Sequence, residues 1–236
     1  MSLLEKKSTS LYGYKKATVY VCDISYLHDL PGVELLTPMR RERMFRYRLH
    51  EDRARCLVAG LMLRCVFGGT QAESIMNSSL GKPFLPSGPF FNLSHSGSKV
   101  VLLVGEQELG IDIEQITPYS QQVARRVFTD CELEWLDIQQ SDEAFFRLWT
   151  GKESIMKALG QGFQLPPESF EISPTQAVPN NVCGRDWFLH WQVLEGHVLC
   201  CASSSANIKY KTMTLNREDL LKKISGGVFY VHQNRN

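Results

Sequence analysis

The chain has 236 residues, a net charge of +1, 43% hydrophobic and 22% charged residues, a globular composition that gives no global sign of a nucleic-acid partner. No stretch reaches the roughly 18 uninterrupted apolar residues of a membrane span, and the start "MSLLEKKSTS" lacks the apolar region of a secretory signal. The seven cysteines form no CxxC pair, so reduced thiols in a cytoplasmic protein are expected, with neither nucleic acid nor membrane as partner.

A strand is expected over 17–25. Thr37 and Pro38 then stand in the order N-cap, first helical position, and open a helix. A second helix is predicted over 50–68, where Leu57, Leu61 and Cys65 recur at helical spacing and Gly68 ends the run. Segment 79–97, "SLGKPFLPSGPFFNLSHSG", is dense in Gly, Pro and Ser and reads as loops around short strands. "KVVLLVG" (99–105) and "LGIDIE" (109–114) are strands, close enough to neighbour each other.

After Pro118 the chain turns helical, with a long segment over 142–162. Phe145, Leu148 and Ile155 or Leu159 supply its core stripe, and Gly160 is its natural stop. Strands at 185–193 and 197–203 are joined as a hairpin through "LEG". A further strand at 208–214 and a short helix near 216–224 complete the reading. The fold class is α+β, two packed subdomains over 1–109 and 110–236.

The chemistry begins in "GIDIEQI". On a strand, Ile111 and Ile113 share one face while Asp112 and Glu114 share the other. By itself that pair reads as a solvated face, but a hard divalent ion would neutralise both charges, and Mg²⁺ sites combine carboxylates with substrate phosphates. In "LWTGKESIMK", Glu153 and Lys157 lie four apart and share a helix face. Alone they read as a surface salt bridge worth roughly 0.3–0.5 kcal/mol, although Trp149, one turn earlier, argues for a partly buried face.

Two basic elements accompany these acids. His95, between Ser94 and Ser96 in a loop leading into a strand, can contact a phosphate. Residues 37–55, "TPMRRERMFRYRLHEDRAR", carry seven arginines; clustered arginine suits multidentate phosphate recognition. A solvated basic face is as open for that helix, and a nucleic-acid patch is a third reading.

Together these segments resemble the 4′-phosphopantetheinyl transferases of the surfactin-synthetase type. "GIDIE" matches that family's G-[IV]-D-[IV]-E strand, and "WTGKESIMK" its W-[ST]-x-K-E-[AS]-x-x-K helix some forty residues on. "GKP" and "FNLSHSG" match in order, and the resemblance runs from about residue 37 to 165. It implies two similar halves packed as an intramolecular pseudo-dimer, an active site in the cleft between them, and a monomer. Asp112, Glu114 and Glu153 would hold Mg²⁺, with Mn²⁺ the alternative, against the pyrophosphate of coenzyme A. Glu153 would also accept a proton, directly or through water, from the serine of an apo acyl, peptidyl or polyketide carrier protein.

The resemblance further implies that Lys152 and Lys157 stabilise phosphate charge and that Ser94 and His95 contact coenzyme A. Arg40 and Arg43, where some members carry lysines, would take its 3′-phosphate, Arg55 another phosphate, and Lys82 would lie near the adenine. Two other readings compete: a Mg²⁺-dependent nucleotide phosphohydrolase or nucleotidyl enzyme, and a non-catalytic module that grips carrier proteins. The second leaves the three carboxylates unexplained.

Overall fold

The structure is a computed structural model that describes residues 15–25, 32–175 and 178–224; the opening "MSLLEKKSTS" lies outside them. The first half runs β1 (Lys15–Asp23), α1 (Pro38–Arg46), α2 (His50–Phe67), α3 (Gly69–Glu73), the short β2 (Met76–Asn77) and β3 (Pro83–Phe84), then β4 (Phe90–Ser96) and β5 (Lys99–Gly105). The second runs β6 (Leu109–Gln115), α4 (Gln121–Val127), α5 (Asp130–Gln139), α6 (Asp142–Leu159), β7 (Asn180–Val182), β8 (Arg185–Leu194) and β9 (His197–Ser203). β10 (Ile208–Thr214) and α7 (Arg217–Ile224) follow. Among the described residues no helix is long and apolar enough to cross a membrane.

Two four-stranded sheets result, in the orders β10-β1-β5-β4 and β6-β9-β8-β7. In each half a leading strand is followed by helices and then by a hairpin, β4–β5 or β8–β9, whose second strand pairs antiparallel with the leader. The "LEG" connection tightens to Glu195 and Gly196, both at positive φ, as the twist of a two-residue hairpin demands.

Alternation along the strands builds the layers. Val19, Val101 and Leu103 of the first sheet meet Ile111, Ile113 and Leu199 of the second in one buried cluster. The opposite faces pack outward, Val100 and Leu102 against Leu57, Val58 and Leu61 of α2, Val198, Cys200 and Ala202 against Leu148 and Ile155 of α6. The order is helix, sheet, sheet, helix. Each fully buried aliphatic side chain in such a stack stabilises by roughly 1.5–3 kcal/mol.

Three sequence expectations are revised. The 99–105 and 109–114 strands are not paired neighbours: β5 is bonded to β1 and β4 while β6 is bonded to β9, because residues 106–108 carry the chain from one sheet to the other. His95 lies on a strand, β4, rather than in a loop leading into one. Finally, β10 leaves the second half to pair in parallel with β1, so the later stretch supplies the outer strand of the first sheet.

Candidate active site

β4 and β6 are edge strands of different sheets, and each would present bare N–H groups to the other. Side chains close the gap. Asn92 Oδ1 accepts from Ile111 N at 2.9 Å, Ser94 Oγ from Ile113 N at 3.4 Å, and Ser96 Oγ from Gln115 N at 3.1 Å. These three bonds stand where a backbone ladder between the two sheets is missing, while β4 keeps its own ladder with β5.

The second face of β6 lies under α6. A Cβ on Gly110 would stand 2.0 Å from the Ser154 carbonyl oxygen and 2.6 Å from Ala158 N, so only glycine lets the helix backbone approach this closely. That approach brings Lys157 onto Asp112. Lys157 Nζ lies 2.6 Å from Asp112 Oδ1 and donates to Ser94 Oγ at 2.8 Å, while Ser94 Oγ donates to Asp112 Oδ1 at 2.7 Å. Asp112 is 2% exposed, and its Oδ2 is buried without a hydrogen-bond partner.

Above this floor opens a cleft of about 470 Å³ lined by Asp112, Glu114, Trp149, Glu153 and Lys157 together with Arg40, Arg43, Tyr47, Ser94 and His95. Burial, then the charge of Asp112, raises the Glu114 carboxyl above its ordinary range. Burial and Asp112, with a smaller effect of Glu114, push Glu153 up to about 7 against the attraction of Lys157. Desolvation in the cleft, followed by the charges of Arg55 and Lys157, lowers His95. The His95 ring is still exposed, so those cations are the firmer cause.

Arg40 reaches the cleft across α2. Its Nη1 donates to the Cys56 carbonyl at 3.4 Å, and a Cβ on Gly60 would come 2.6 Å from its Cδ. Arg43, one turn on, is exposed and lines the same wall.

Two residues expected at phosphate, Lys152 and Arg55, and one expected near the adenine, Lys82, are engaged elsewhere. Lys152 is fully buried on the opposite side of α6, since adjacent helical residues diverge by about 100°. Its Nζ pairs with Glu132 Oε2 at 2.8 Å and donates to the carbonyls of Pro167 and Phe170, which uses all three of its protons. Arg55 pairs with Asp52 at 2.7 Å and donates to the Gly97 carbonyl at 2.7 Å, bordering a neighbouring pocket beside Gln115. Lys82 Nζ donates to the Ala158 carbonyl at 2.6 Å, satisfying an acceptor in the last turn of α6, although its neighbours Gly81 and Pro83 line the cleft.

Among the described residues no three His, Cys, Asp or Glu side chains stand close enough, as placed, to hold a metal. The donor set nonetheless fits a hard dication. Asp112 Oδ2 is buried and unpartnered, and Glu114 and Glu153 both resist ionisation beside it. Asn92, Ser96, Gly60 and Gly110 were missed as contributors by sequence reasoning. The period of two in Asn92, Ser94 and Ser96 was the available signal.

Fold and cleft together gather acidic and basic side chains around one cavity at the contact of the two sheets. Residues 108–208 match the model of the 4′-phosphopantetheinyl transferase superfamily. The chain is 34% identical over 150 residues to the 4′-phosphopantetheinyl transferase Sfp of Bacillus subtilis, covering 59% of this chain and 67% of that one. It is 33% identical over 147 residues to the transferase gsp of Aneurinibacillus migulanus, covering 58% and 61%. With HetI of a Nostoc species it shares 32% over 169 residues, covering 64% and 70%. The chain belongs to the 4′-phosphopantetheinyl transferase superfamily, and within it resembles the Sfp type.

Proposed function

We propose that this chain transfers the 4′-phosphopantetheine arm of coenzyme A to a serine of an apo acyl, peptidyl or polyketide carrier protein, releasing adenosine 3′,5′-bisphosphate. The observation that carries this reading is the cleft itself, which Glu114, Glu153 and Asp112 line together with Arg40, Arg43 and His95. Asp112, Glu114 and Glu153 would hold Mg²⁺, or Mn²⁺ in its place. When bound, such an ion supplies charge neutralisation at the pyrophosphate.

The chain's own residues divide the remaining work. Arg40 and Arg43 bind the 3′-phosphate, which fixes the donor away from the bond that breaks. Glu153, whose carboxyl the metal-free cleft pushes up to about 7, takes the proton of the carrier serine, directly or through water. Lys157 holds positive charge at the floor of the cleft, where the leaving phosphate gains charge. His95, its pKa lowered, donates a hydrogen bond as a neutral imidazole. Lys152 has no phosphate role in this reading.

Both walls come from one chain, so a cytoplasmic monomer with its site between the 1–109 and 110–236 stretches is the working unit we infer. The test is intact mass spectrometry of apo carrier proteins incubated with the protein, coenzyme A and Mg²⁺. A carrier mass raised by one 4′-phosphopantetheine is expected. Consumption of coenzyme A with no change in carrier mass would favour a nucleotide phosphohydrolase instead.

A further inference from the structure

We propose that Ser96 is a positioning residue that aims the Glu114 carboxylate into the cleft, an inference that rests on the function proposed above. A serine hydroxyl has one proton to give and lone pairs to receive. Ser96 Oγ donates to Glu114 Oε2 at 2.6 Å and accepts from Gln115 N at 3.1 Å. The backbone N–H following the carboxylate residue thus fixes the hydroxyl, and the hydroxyl fixes the carboxylate.

Two positions earlier the pattern repeats. Ser94 Oγ donates to Asp112 Oδ1 at 2.7 Å and accepts from Ile113 N at 3.4 Å. At the third step it is incomplete. Asn92 Oδ1 accepts from Ile111 N at 2.9 Å, but the residue before Ile111 is Gly110, which has no carboxylate to aim. Asn92 therefore holds the strands together without orienting a ligand, and serves as an internal control.

A hydroxyl kept only to cover an edge N–H would act as Asn92 does. A hydroxyl that orients a ligating carboxylate should affect metal affinity, and loss of such an outer partner typically costs 10–100-fold. The experiment is titration of the full chain with Mn²⁺ in the presence of coenzyme A, read by electron paramagnetic resonance, with thermal unfolding measured in parallel. Ser96→Ala is expected to weaken Mn²⁺ binding at least about tenfold and Ser96→Thr, which keeps the hydroxyl, to restore it. Asn92→Ala, at a residue that also lines the cleft, is expected to lower the Tm and to weaken Mn²⁺ binding less than Ser96→Ala does. The proposal is overturned if Ser96→Ala binds Mn²⁺ like the unmodified chain, or if Asn92→Ala weakens binding equally. Those results leave the transferase reading standing, whereas an unmodified chain that binds no Mn²⁺ would remove both.

Discussion

Lys157 Nζ and Asp112 Oδ1 form an ion pair at 2.6 Å across the contact of α6 with β6. The lysine therefore occupies one oxygen of a carboxylate proposed above as a metal ligand. Lys157→Met should lower the Tm of the metal-free protein, because Asp112, 2% exposed, then carries a charge without its cation. Mg²⁺ should raise the Tm of this variant by more than it raises that of the parent, since the ion no longer competes with the ammonium. Equal Mg²⁺ shifts in calorimetry would show that pair and metal are independent. Transfer should fall by about 10²–10³ through lost charge stabilisation.

Glu153 sets a pH dependence. Its carboxyl titrates at about 7 in the fold against an ordinary 4.5, so folding disfavours its ionised form. Below pH 4.5 both states are protonated and the penalty is absent; it grows between 4.5 and 7 and is complete above. Glu153→Gln should therefore stabilise the metal-free protein at pH 8 by about 1–2 kcal/mol, a figure reduced for the partial solvent contact of the group. At pH 4 it should have no effect. Urea unfolding at the two pH values checks this, and a variant less stable than the parent at pH 8 would contradict it.

The path of Arg40 over Gly60 separates donor binding from chemistry. In Gly60→Ala the new Cβ would meet Arg40 Cδ at 2.6 Å and Leu36 Cδ2 at 2.4 Å, so the guanidinium must move. We expect KM for coenzyme A to rise about fivefold or more with kcat nearly kept, as loss of uniform binding does. Dephospho-coenzyme A, without the 3′-phosphate, should be indifferent to the substitution. Equal damage with both donors would assign Arg40 to the fold.

Lys152 should behave as a buried strut. Glu132 joins it to two backbone groups, accepting from Thr129 N and Ile172 N at 2.8 Å each. Lys152→Met alone leaves that carboxylate unpaired and should cost about 3–5 kcal/mol. The double variant Lys152→Met, Glu132→Leu should recover part of the loss. Specific activity of whatever remains folded should stay near that of the parent. A selective fall in kcat with an unchanged Tm would return Lys152 to the phosphates.

Much of the site was legible because it is local. The face shared by Glu153 and Lys157 follows from helical spacing, and that of Asp112 and Glu114 from strand alternation. Thr37 does cap α1, accepting from Arg40 N. What sequence could not give was the partner of each face. Lys152 and Glu153 are adjacent in the chain, yet one meets Glu132 and the other the cleft, a distinction that depends on where α5 packs. Segment 79–97 read as loops around short strands because it is dense in Gly, Pro and Ser; the ladder of β4 with β5 and the side-chain bonds to the edge of β6 come from partners that the segment itself does not reveal. Lys82 and Arg55 likewise find carbonyls 76 and 42 residues away.

The parallel pairing of β1 with β10, from Lys15 with Ile208 to Val21 with Thr214, has a kinetic consequence. The first sheet acquires its outer strand from residues made nearly two hundred positions later. Loop closure of that span precedes any gain from the contact, so this step is expected to be late and slow. During synthesis the β1 edge stands open until residue 214 has left the ribosome, exposed to pairing with another chain. A nascent chain halted before β10 should therefore be protease-sensitive in β1 and α2 while the β4–β5 hairpin is already protected. In refolding experiments β10 should be the last strand of the molecule to gain amide protection.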